Sequence, residues 1–249
     1  MRSCWFLLLW LLVPSANAEP VTIAVASNFI IPAGELVAAF EQSTGHAVQV
    51  SSASTGVLYA AARNGARYAA LLAADSDRPR RLEEEGIGVA GTRFTYAVGT
   101  LVLWSADPEL AGSDCRSVLD SLGKRRLAIA NPVTAPYGAA AQAFLRQAGL
   151  WDAVEGNLVF GQNIAQALQF VATRNASIGL VAASQLHSPQ LPDATCQWPV
   201  PAELHPPIEQ QAILLHAGRS HDAATAFLDF IRGPQGRAII EAQGYGVPD

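Results

Sequence analysis

The chain has 249 residues, half of them hydrophobic and 15% charged, with a formal net charge of −5 at pH 7. That composition supplies a sizeable core and excludes a disordered or low-complexity polymer. The acidic balance and the single lysine, Lys124, argue against a surface for nucleic acid or anionic membrane and against a phosphate-gripping lysine; GxxxxGK[ST] and GxSxG are both missing.

The opening "MRSCWFLLLWLLVPSANA" has one arginine, a short apolar stretch and a small-x-small ending at Ala16 and Ala18. It reads as a signal peptide over residues 1–18, too short to span a bilayer comfortably, and marks the mature chain for export. Cys4 leaves with it, so Cys115 and Cys196 are the only cysteines of the mature chain. An oxidising compartment favours a disulfide between them, with two free thiols as the alternative. The five histidines show no ligand spacing with either cysteine, so no resident metal or cofactor is expected.

From residue 21 onward, β-branched runs alternate with helical spacing: "VTIAVA" then 29–43, "AVQVSS" then 57–64, "YAALLAA" then 77–85. After the β-rich stretch "RFTYAVGTLVLWSA" the alternation resumes, with helices near 115–123, 138–148 and 164–174 and strands "RLAIAN", "NLVF" and "SIGLVAA". Residues 188–207 are rich in proline and read as a surface connection; "EQQAILLHA" then reads as a strand, followed by two helices broken at Gly233-Pro234. The pattern predicts an α/β protein of two lobes, 19–99 with 208–249 and 100–207, each a mostly parallel sheet flanked by helices. Hinge strands are expected near 94–104 and 208–216, with a ligand cleft outside the carboxyl ends of the strands.

Four strand-to-helix junctions share one chemistry: Ser27-Asn28, Ser54-Thr55-Gly56, "NPVTAPYG" with Tyr137, and "GQNIAQAL" with Asn163-Ile164. Each sets hydroxyl, amide or unpaired backbone N–H groups at a helix start, where anions are held. Any single one of these residues is also explained as a helix cap. Two junctions in each lobe, facing one cleft, favour a ligand. Donors with no Asp or Glu among them suit an oxyanion that carries no protons.

These junctions, together with "AVASNF", "TGHAVQVSSASTG", "IANPVTAPYGAAA", "GQNIAQALQFVATRNASIGLVAASQL" and "FLDFIRGPQGRAIIEAQGYGVP", resemble the periplasmic molybdate-binding proteins of ABC importers over essentially the whole mature chain. The resemblance implies the two-lobed type II periplasmic-binding-protein fold, no enzymatic activity, and a monomer that delivers molybdate or tungstate to an inner-membrane ABC permease. It assigns the oxyanion to Ser27, Asn28, Thr55, Tyr137 and the backbone N–H of Ile164. The sequence resembles the branch that draws its tyrosine from "APYG", because Ala182 and Ala183 stand where another branch has a tyrosine. Ala69 and Ala73 also depart from the pattern, with Asp75 retained, and imply altered hinge or cleft-wall contacts. The alternatives are a binding protein for another oxyanion such as sulfate, a secreted hydrolase using Ser27 or Ser54 with a histidine, and a receptor-like module that signals on closure. Molybdate and tungstate are too alike for donor counting to separate.

Overall fold

A computed structural model describes residues 19–248; the signal-peptide expectation therefore falls outside the described residues. Ten strands run in chain order: β1 Val21–Ala26, β2 Val48–Ala53, β3 Ala70–Leu72, β4 Phe94–Gly99, β5 Leu101–Ser105, β6 Leu127–Ala130, β7 Leu158–Gly161, β8 Ile178–Ala182, β9 Cys196–Pro199 and β10 Ile208–Leu214. The α-helices are α1 Ile30–Thr44, α2 Thr55–Arg63, α3 Asp77–Glu84, α4 Cys115–Asp120, α5 Pro136–Gln147, α6 Trp151–Val154, α7 Ile164–Ala172, α8 Asp222–Arg232 and α9 Pro234–Ala242.

The strands form two five-stranded sheets, in the orders β2-β1-β3-β10-β4 and β7-β6-β8-β5-β9. In the first, β1 pairs parallel to β2 and β3, while β10 runs antiparallel to both its neighbours. In the second, β6 pairs parallel to β7 and β8, and β5 is antiparallel to β8 and β9. One strand per sheet thus opposes the rest, and both opposing strands lie where the chain passes between sheets. Fully buried strands such as β6 and β8 are near-continuous apolar runs, as two-sided burial requires. Helices cover both faces of each sheet: Leu36, Phe40 and Phe227 pack on one face of the first and Leu58 and Leu82 on the other. Phe144 and Leu119 cover one face of the second sheet, Leu168 and Val171 the other.

Local chemistry sets the ends of these elements. Gly45, at φ 74°, closes α1 in the left-handed region that a side chain would disfavour. Pro136 opens α5, where its missing N–H costs nothing, and the Asn163 side chain accepts the Gln166 N–H at 3.0 Å to cap α7.

One reading of the sequence is resolved more finely and one needs correction. The stretch "RFTYAVGTLVLWSA" is two strands in different sheets, divided at Thr100. Residues 188–207 are not only a connection, since β9 lies within them and pairs with β5 at a sheet edge. An edge strand needs hydrogen bonds on one side only, so it tolerates Pro199 and carries little periodic signal. Cys196 on β9 is bridged to Cys115 on α4, with Cα atoms 5.4 Å apart.

Candidate oxyanion site

Four of the parallel-running strands deliver the junction residues to one place. β1 ends at Ala26 and the chain turns through a short 3-10 segment, Ser27–Phe29, into α1. β2 leads through Ser54 into α2, β6 through residues 131–135 into α5, and β7 through 162–163 into α7. The helix starts from both sheets surround a small cavity. Ser27, Asn28, Ser54 and Thr55 line it from the first sheet, and Tyr137 and Ile164 from the second; Ala26, Ala74, Ala135 and Pro136 complete the wall. All five residues singled out in the sequence are therefore brought together, and every one is buried.

No lining side chain carries a formal charge. What remains is a set of dipoles: hydroxyls, an amide, and the first N–H groups of helices, which have no intrahelical acceptor. Thr55 Oγ1 accepts the backbone N–H of Ala74 at 3.0 Å, which fixes its rotamer and leaves its own proton to donate. Ser54 Oγ is buried and has no hydrogen-bond partner. A buried unsatisfied hydroxyl is costly and marks a place where a polar guest completes the site. The sequence marked Ser54 as part of its junction but gave the contact to Thr55 alone.

Tyr137 Oη accepts a hydrogen bond from Gln210 Nε2 at 3.4 Å. Burial, reinforced by the neighbouring Tyr245 and Tyr96, pushes this hydroxyl well above the usual phenol range, so it keeps its proton as a donor. Asn28 is engaged differently from a simple ligand contact. Its carboxamide donates to Gln210 Oε1 at 2.8 Å and to Tyr245 Oη at 2.9 Å, so its remaining donor is the backbone N–H. Gln210 is further bonded by Tyr96 Oη, at 3.2 Å.

Gln210, Tyr245 and Tyr96 thus form a buried polar layer behind the cavity that sequence reasoning missed. The available signal was Gln210-Gln211, two amides that follow Glu209 in a strand whose other residues are apolar.

Contacts also cross between the two sheets on the other side of the cavity. Gly56 N–H donates to Thr134 O at 2.8 Å, and Arg78, paired with Asp75, reaches Val133 O at 2.9 Å. A larger groove, lined by Lys124, Arg125, Arg126 and Arg174, lies at the amino ends of β6 and β8 and away from the four turns. No histidine lines the cavity and no group of His, Cys, Asp and Glu among the described residues is arranged to hold a metal ion, which leaves Ser27 and Ser54 without a catalytic base.

The family profile described as bacterial extracellular solute-binding protein matches residues 21–246. The molybdate-binding protein ModA of Azotobacter vinelandii is 46% identical over 237 residues, spanning 95% of this chain and 94% of its own. ModA of Rhodobacter capsulatus is 42% identical over 96% of this chain and 92% of its own. The solved structure of the Azotobacter vinelandii periplasmic molybdate-binding protein superimposes with a TM-score of 0.86 at 37% identity, covering 92% of this chain and all of that one.

Proposed function

The chain belongs to the bacterial extracellular solute-binding protein family, and from that premise we propose that it captures molybdate or tungstate between two lobes and delivers it to an ABC importer. It is a binding protein of the two-lobed type II periplasmic fold, and the ion is its cargo; no cofactor takes part. The lobes are residues 19–99 with 208–249 and residues 100–207, the partner is a permease in the inner membrane, and the protein works as a periplasmic monomer after its leader is cleaved.

The observation that carries this reading is the cavity itself: hydroxyl and N–H donors converge from both sheets, with no charged side chain in the wall. Ser27, Thr55, Tyr137 and the N–H groups of Asn28 and Ile164 are the contacts, with Ser54 added to them. Hydrogen bonds to a charged group contribute about 1.5 to 3 kcal/mol each, so five or six offset dehydration and closure and still leave about −8 kcal/mol, which is micromolar binding. An unprotonated dianion needs only donors, whereas hydrogen phosphate would also need an acceptor. Isothermal titration with molybdate, tungstate, sulfate and phosphate tests the proposal. Tight binding of the first two is expected, and a preference for sulfate or phosphate overturns it.

A further inference from the structure

Ser184 lies in the turn after β8, on the second sheet, and does not line the cavity. Its Oγ is 2.8 Å from Tyr245 Oη and 3.4 Å from the backbone oxygen of Asn28. Tyr245 follows α9 and is tied to the first sheet by Gly246, which exchanges backbone hydrogen bonds with Val98 at 2.7 and 3.0 Å. The tyrosine hydroxyl donates to Asn28 O at 3.0 Å while accepting from Asn28 Nδ2 and from Ser184 Oγ. One proton and two lone pairs are thereby all used.

Asn28 is consequently gripped at both its carbonyl and its side chain, and the grip is completed by a residue of the opposite sheet. All three residues are buried with the two halves together, so in that form water does not substitute for a broken bond. We propose that Ser184 and Tyr245 are positioning residues for the bound ion: they orient the Ser27-Asn28 turn toward the cavity and latch the closed form from behind it. The proposal rests on the oxyanion reading of the cavity. In this proposal, opening the cleft parts Ser184 on the second sheet's half from Tyr245 on the first, so the latch acts on escape of the ion more than on its capture.

The test compares wild type, Ser184→Ala, Ser184→Thr and Tyr245→Phe by calorimetry and stopped-flow dissociation of molybdate, with the melting temperature of the ion-free protein measured alongside. Ser184→Ala is expected to weaken binding about fivefold to tenfold, nearly all through faster dissociation, at an unchanged ion-free melting temperature. Ser184→Thr, which keeps the hydroxyl, restores most of the loss, and Tyr245→Phe exceeds Ser184→Ala. Wild-type dissociation in Ser184→Ala, or a loss that only follows a lowered ion-free melting temperature, overturns the latch. A wild-type protein that ignores molybdate, tungstate, sulfate and phosphate overturns the reading of the cavity instead.

Discussion

Gly99 packs against Tyr137 so closely that a Cβ at position 99 would overlap the tyrosine hydroxyl, and it would lie 2.8 Å from Gln210 Nε2 as well. The hydroxyl's place in the cavity thus depends on a missing side chain at the end of β4. Gly99→Ala is expected to displace both partners of the Gln210–Tyr137 bond and to weaken molybdate binding more than Tyr137→Phe does. The latter removes one donor and should weaken binding by about 1 to 3 kcal/mol with the fold intact. Titration calorimetry and thermal melts of the two variants check the order.

Ser54 separates stability from binding. Its hydroxyl has no protein partner, so Ser54→Ala removes a buried unsatisfied group and should leave the ion-free protein as stable as wild type or slightly more so. The same change should weaken ion binding by about 1 kcal/mol or more. A melting curve with and without molybdate reads both effects; lower ion-free stability at full affinity would assign Ser54 to helix capping alone.

Binding and stability should respond to pH in different ranges. No cavity-lining side chain titrates near neutrality, so affinity should stay level between about pH 6 and 9. Burial pushes the Tyr245 hydroxyl from its ordinary 10.0 up to about 12. Between those values the folded chain holds a proton that the unfolded chain has lost, so stability falls as pH rises. The contribution is complete below about pH 10 and lost by about pH 12, and the interval corresponds to about 3 kcal/mol. Denaturant unfolding across this range, compared with Tyr245→Phe, checks the sign, since the variant should lack this part of the alkaline decline.

The Cys115–Cys196 bridge closes a span of 81 residues within the second sheet's half, and neither sulfur lines the cavity. A closed span of that size restricts the unfolded chain by about 4 kcal/mol. Cys115→Ser with Cys196→Ser, or reduction, should lower the melting temperature while leaving the dissociation constant for molybdate near its wild-type value.

The sequence showed the junctions because a helix start has a chemical signature: Ser27-Asn28, Ser54-Thr55, Pro136-Tyr137 and Asn163-Ile164 are legible as caps and donors in any fold. Its βα alternation likewise made both sheets legible. What stayed hidden depends on distance in space. Asn28 meets Gln210 and Tyr245 from positions 182 and 217 residues away, and nothing in the local pattern states that its amide is already taken. β9 escaped notice because an edge strand of four residues carries almost no periodicity. The orphaned Ser54 hydroxyl is likewise visible only when its neighbours are counted in three dimensions.

Thr100 alone separates β4 in one sheet from β5 in the other. So short a tether permits pivoting but hardly any sliding, which confines relative movement largely to a swing. Anything that touches the outer surface of both halves would meet one fixed angle when the cargo is inside. Under the proposed function, that angle is what a transport complex reads, without ever touching the ion.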